Sequence, residues 1–183
     1  MKDLNLVKLT GNIFWSKLDD RQSFSILRLG VKLNDGSSLF CSVNNPSTKV
    51  YDLIKPGNKV VLTTGYLDTW EKQDGTSELQ VKANDSGVAF FPKEKALADL
   101  NSVSVVGKVL SYDGDSVVLE MMGDRNPKTD KPSVRKAKIK IGGAYGEEIV
   151  GSKIMIEAKI TSTEVEGKSK MAIEADYDKI SIL

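Results

Sequence analysis

The chain has 183 residues, room for one large domain or two small ones, and its 40% hydrophobic and 28% charged residues are ordinary for a globular protein, so disorder is not the default. Its 26 basic and 25 acidic residues leave a net charge of +1, so a surface for a polyanion has to be local rather than spread over the molecule. With no histidine and one cysteine, Cys41, the chain is excluded from Ser-His-Asp and Cys-His catalysis, from Cys/His zinc sites and from an intramolecular disulfide.

The segment Met1–Val7 has no apolar core of a signal peptide, and no run elsewhere is long enough to span a bilayer, so a cytoplasmic protein without a membrane partner is expected. Val7, Leu9, Gly11 and Ile13 alternate with Lys8, Thr10 and Asn12, the period of a half-buried strand. From Phe24 to Leu33 a second strand sets Leu27, Leu29, Val31 and Leu33 on one face and Ile26, Arg28, Gly30 and Lys32 on the other. Asn34-Asp35-Gly36 is a hairpin signal, and the partner strand Leu39–Val43 points Leu39, Cys41 and Val43 inward and Phe40 outward. Asn45-Pro46-Ser47 then opens a short helix carrying Val50, Leu53 and Ile54, which Pro56-Gly57 ends. Lys59–Leu67 and Ser77–Val81 are predicted as strands four and five, joined by the turn Glu71–Gly75, and Val88–Phe91 closes the unit. Five strands with a helix between the third and fourth is the order of an OB barrel.

Residues 93–100 are expected to be a linker, with room for a helical turn. Beyond them the pattern restarts: Val103, Val105, Gly107 and Val109 repeat the spacing of Val7, Leu9, Gly11 and Ile13, and Gly151–Ile156 echoes Gly57–Leu62. Both echoes lie about 95 residues apart, which points to a duplicated unit. Strands are predicted at Ser116–Met122, after the tight turn at Asp113-Gly114, and at Arg135–Ile141, Lys153–Ile160 and Lys170–Tyr177. Between the third and fourth of these strands there is space for no more than a helical stub. The predicted fold class is therefore all-β: two tandem five-stranded OB barrels, residues 1–92 and 101–183, each with a short helix or stub between strands three and four.

Three segments of the first half carry a family resemblance. Val7-Lys8-Leu9-Thr10-Gly11-Asn12-Ile13, Tyr51-Asp52-Leu53-Ile54-Lys55-Pro56-Gly57-Asn58-Lys59-Val60 and Gly65-Tyr66-Leu67-Asp68-Thr69-Trp70-Glu71-Lys72-Gln73-Asp74-Gly75 resemble, in order and spacing, the opening strand, helix end and fourth strand of bacterial and phage single-stranded DNA-binding proteins (SSB). The pattern departs in three places: Thr69 and Trp70 stand closer than in that family, Leu39-Phe40 replaces a tryptophan, and the acidic, phenylalanine-ended tail is missing. These departures fit a phage or plasmid relative, with the host cytoplasm as its location. The resemblance implies single-stranded DNA as partner in replication or recombination, contacts with replication and recombination proteins, and an oligomeric state left open.

Single-strand binding needs aromatic faces for bases and cations for phosphates, and an OB barrel offers both on the outside of strands two and three and in the loops after strands one and four. Phe14, Trp15, Phe40, Tyr66 and Trp70 are the aromatic candidates of the first unit, with Arg28, Lys32 and Lys72 as its cations. The second unit is expected to supply charge through Arg125, Lys128, Lys131, Arg135, Lys136, Lys138 and Lys140, with Tyr112 as its one nearby ring. Lys136, Lys138 and Lys140 alternate with Ala137, Ile139 and Ile141, a pattern that also suits a solvated edge strand.

Asp113 and Asp115, and likewise Asp176 and Asp178, are spaced like metal-binding carboxylates, but the first pair reads more simply as a hairpin turn. Cys41 reads as a small core residue, and no phosphate-cradling glycine loop of the Walker type occurs. No cofactor and no enzymatic activity are expected. The alternative is an OB-type RNA-binding or protein-docking module of a replisome or phage particle, which the near-zero net charge favours.

Overall fold

Alternation of apolar and polar residues is carried through nearly the whole chain, and in the computed structural model it becomes twelve strands among the described residues. The structure describes residues 3–21, 24–71, 77–125, 129–143, 145–165 and 168–183. The strands are β1 (Asn5–Arg21), β2 (Phe24–Leu33), β3 (Ser38–Asn44), β4 (Lys59–Glu71), β5 (Ser77–Asn84), β6 (Val88–Phe91), β7 (Asn101–Tyr112), β8 (Ser116–Arg125), β9 (Pro132–Lys140), β10 (Lys153–Val165), β11 (Lys168–Glu174) and β12 (Ile180–Ile182). The hairpin between β2 and β3 turns as expected: Gly36 adopts φ +90°, and the Asp35 carboxylate accepts the Ser37 N–H at 2.8 Å.

Two sets of strands share one pairing order. In the first, β1 pairs with β2, β2 with β3, β3 with β5 in parallel, β5 with β4, and β4 returns to β1. In the second, β7, β8, β9, β11 and β10 follow the same path, the parallel β9–β11 pairing resting on Lys140 and Glu174. Short end strands also match, β6 lying on β4 and β12 on β10. Gly11 and Gly107 repeat a close approach: a Cβ on Gly11 would stand 2.8 Å from the Lys32 carbonyl, and one on Gly107 2.7 Å from the Glu120 carbonyl.

The sets are joined edge to edge by β1 and β7, antiparallel, with Val7 opposite Val103 at the centre, Asn5 opposite Val105 and Leu9 opposite Asn101. Buried Asp3 ties the same seam. Its carboxylate accepts the Met122 N–H at 2.9 Å and meets Lys153 Nζ at 2.6 Å. One core cluster runs through both sets, from Leu9, Leu29 and Val43 to Leu119, Ile139 and Ile156. Cys41 belongs to it, and burial pushes its thiol up to about 12.

Three expectations change. The segment between β3 and β4 is a 3₁₀ helix, Thr48–Leu53, with no buried residue, because the sheet supplies closure and leaves Val50, Leu53 and Ile54 only half covered. Its counterpart between β9 and β10 is the single 3₁₀ turn Glu147–Ile149, the stub that the short connection allows. β1 continues to Arg21 instead of ending at Ile13, since β2 is long enough to pair with it as far as Phe24. Strand β12 was not legible; three residues carry too little pattern, and β10 supplies the edge that fixes them.

Candidate nucleic-acid interface

The site begins with an irregularity in β1. Ile13 pairs with Val31 and Trp15 with Gly30, so Phe14 is the extra residue of a β-bulge. A bulge interrupts alternation, and here it turns two successive aromatic side chains outward while Ile13 stays in the core. Phe40 of β3 stands directly across from Gly30 and is 60% exposed, a costly position for a ring without a ligand. Phe14 and Trp15 each meet Phe40 edge-on, both with centroids 5.9 Å apart and with interplanar angles of 68° and 80°. Three rings thus form an open corner on the outer face of β1, β2 and β3. A flat base laid on one ring meets the edge of another, so stacking is offered without selecting the base.

The cations around this corner are unequal. Arg28 Nε lies 3.3 Å from Asp19, which Lys17 also reaches at 3.4 Å. Lys32 is exposed and has no ion pair among the described residues. The Trp70 side chain and all of Lys72 and Lys128 lie outside the described residues.

The second set carries a matching bulge between Val109 and Ser111. Read through the strand registers, Leu110 stands where Phe14 does, Ser111 where Trp15 does, Val118 where Gly30 does and Lys138 where Phe40 does. Every ring of the corner is replaced, and the outer face of β9 presents exposed Lys136, Lys138 and Lys140 instead. Lys138 holds Asp113 at 2.7 Å and Lys140 holds Glu174 at 3.2 Å. The Lys138 ammonium, with the Ser116 and Asp115 amides, lowers the Asp113 carboxyl to about 2, and Glu174 raises Lys140. Both pairs are exposed, so little energy opposes their exchange for phosphate.

The structure separates the remaining candidates. Tyr66 and Arg135 face each other between the two sets, the guanidinium 4.5 Å from the ring centroid and 3.9 Å from Asp68. Beside them the Thr69 hydroxyl donates to the Lys136 carbonyl, so this arm of β4 leans on β9. Tyr112 is half-buried and donates to the carbonyls of Gly114 at 2.9 Å and Gly142 at 3.4 Å, closing the end of the second set. Arg125 pairs with Asp130 at 3.0 Å in an exposed loop beside exposed Lys131. Asp113 acts as the turn residue its spacing suggested, accepting the Ser116 N–H at 2.7 Å, and no metal-binding group of His, Cys, Asp and Glu occurs among the described residues. Sequence reasoning missed the Tyr145–Tyr177 pair, with centroids 5.0 Å apart, because two loops distant in sequence bring it together.

No protein-family model and no curated protein matches the sequence. Among solved structures, the chain is similar to a deletion mutant of the single-stranded DNA binding protein from Thermus aquaticus. The two share 16% identity, with 100% of this chain and 95% of that chain aligned, at a TM-score of 0.68. The chain has an SSB-like fold. Two further alignments are looser: tetrameric p202 HIN2 (13% identity, 100% and 97% coverage, TM-score 0.31) and a Replication Protein A heterotrimer bound to ssDNA (12% identity, 95% and 49% coverage, TM-score 0.29). Neither superposes closely enough to assign a fold. Within the SSB-like fold, the aromatic corner lies on the outer face of β1–β3 and the lysine row on the matching strand of the second set. No helix among the described residues is long and apolar enough to cross a membrane.

Proposed function

We propose that the chain is a non-enzymatic, sequence-tolerant single-stranded DNA-binding protein, made of two tandem OB barrels (1–92 and 101–183) that arose by duplication. The observation that carries this reading is the exposed corner of Phe14, Trp15 and Phe40 on the outer face of β1–β3. Bases stack there, and the phosphates run on to Lys136, Lys138 and Lys140, so the first barrel stacks and the second neutralises charge. The SSB-like fold supports it, and protection of single strands in phage or plasmid replication or recombination is the corresponding role.

Tryptophan fluorescence titrations with oligo-dT, duplex DNA and RNA at two salt concentrations test the proposal. Quenching by oligo-dT that weakens with salt, and a much smaller response to duplex, is the expected result. A flat response to every oligonucleotide would overturn it. Tighter binding of RNA would favour the RNA-binding alternative, which the net charge of +1 and the ion-paired Lys138 and Lys140 keep in view.

A further inference from the structure

Gly30 points, by strand alternation, to the same outer face as Arg28 and Lys32, yet it is buried. Its cover is Phe14. A Cβ built on Gly30 would stand 2.6 and 2.7 Å from Cζ and Cε2 of that ring, closer than atoms can pack, and 3.1 Å from Cε1. Trp15 flanks Gly30 on one neighbouring strand and Phe40 on the other, both as direct cross-strand partners. The missing side chain is thus the floor of the aromatic corner. Resting on it, the tip of the Phe14 ring comes low enough to meet Phe40 edge-on.

The second set supplies an independent comparison. Where Gly30 has its counterpart Val118, the rings are gone as well, replaced by Leu110, Ser111 and Lys138. Bulge and register are retained while glycine and aromatics are absent together, so the glycine is not demanded by strand pairing or by the bulge. A need for backbone flexibility would have kept glycine in both sets.

We infer that Gly30 is a positioning residue for nucleic-acid bases: it seats Phe14, and through Phe14 holds the corner open to a base. This rests on the single-strand reading of the site. A methyl group at position 30 lifts the Phe14 ring, separates it from Phe40 and closes the space a base would enter. The effect of residue 30 on binding therefore passes through the Phe14 ring and requires it.

The test is a double-mutant cycle in the full chain: wild type, Gly30→Ala, Phe14→Ala and both together. Binding is read by anisotropy of labelled oligo-dT, folding by thermal melting, and ring packing by near-ultraviolet circular dichroism of the free proteins. Gly30→Ala is expected to melt cooperatively, to lose aromatic dichroism and to weaken oligo-dT binding at least tenfold with an unchanged salt slope. In the Phe14→Ala background the same substitution is expected to change binding less than twofold, since no ring remains to displace. Wild-type affinity in Gly30→Ala, or an equal loss in both backgrounds, would overturn the inference while leaving the function intact. If the wild type binds no oligonucleotide, the functional reading fails, and the inference fails with it. Should Gly30→Ala alone fail to fold, recovery of a cooperative melt when Phe14→Ala is added shows that the added methyl acts through the ring, and failure to fold in both backgrounds would overturn the inference.

Discussion

Val7 of β1 lies opposite Val103 of β7, and the ladder around them is symmetric: Asn5 faces Val105 as Asn101 faces Leu9. Each asparagine then reaches into its own set. Asn5 accepts the Leu67 N–H at 2.8 Å and donates to the Leu67 carbonyl at 2.9 Å, while Asn101 does both with Ile160 at 2.8 Å. The seam is thus an internal, isologous interface, in which each half offers the other an equivalent strand and an equivalent asparagine secures that strand within its own half.

From this follows a stability prediction. Asn5→Ala leaves the Leu67 amide and carbonyl without those partners beside a buried side chain, and Asn101→Ala does the same at Ile160. Each substitution is expected to cost about 1–3 kcal/mol in urea unfolding. The two sites share no partner, so the double variant should lose the sum to within about 0.5 kcal/mol. A loss below that range in both single variants would mean that water replaces the asparagine at no cost.

Phe40→Ala separates stacking from folding. The ring is 60% exposed, so its removal should change stability by less than about 1 kcal/mol. Oligo-dT affinity should fall by about 1–3 kcal/mol, roughly five- to 150-fold, with the salt slope unchanged. An unchanged affinity would assign the corner to another ligand.

Asp113→Asn probes the lysine row. In the folded chain hydrogen bonds from Lys138 and the Ser116 and Asp115 amides lower the Asp113 carboxyl from 3.8 to about 2. A lowered carboxyl contributes stability that is present above the unfolded value and lost as pH falls from about 4 toward 2. The variant should therefore be less stable than wild type at pH 7, by a margin that shrinks as pH falls from about 4 toward 2, which chemical unfolding across that range can check. Freed from Asp113, Lys138 should bind oligo-dT more tightly with a steeper salt slope. Lys136→Ala with Lys138→Ala should flatten that slope, by up to about 0.7 for each phosphate that is no longer neutralised.

Arg135→Ala is predicted to behave differently from its neighbours in the basic segment. Its guanidinium sits over Tyr66 with only 22% of the side chain exposed, so the variant should lose about 1–2 kcal/mol of stability. The salt slope of oligo-dT binding should stay as in wild type. A flatter slope would return Arg135 to the phosphate path.

The sequence by itself determined most of the strands, their inward faces and the recurrence of one strand pattern. Period-two alternation is a property of one strand, so Leu27, Leu29 and Val31 declare their burial without reference to a partner. The turn at Asp35-Gly36 is equally local, being set by a positive φ and a side chain two residues away. Local pattern also pointed to the outward position of Phe40 and the lysine face of β9. Only the tertiary structure decided that β1 and β7 join the two sets, that a bulge sends Phe14 and Trp15 to the same side as Phe40, and that Arg135 stacks on Tyr66. Register and bulge depend on which distant strands bury each other's side chains, and that is written in no single segment. The ion pairs Lys138–Asp113 and Lys140–Glu174 were hidden for the same reason: like the ring corner, they form where the folded sheet brings separate strands and turns together.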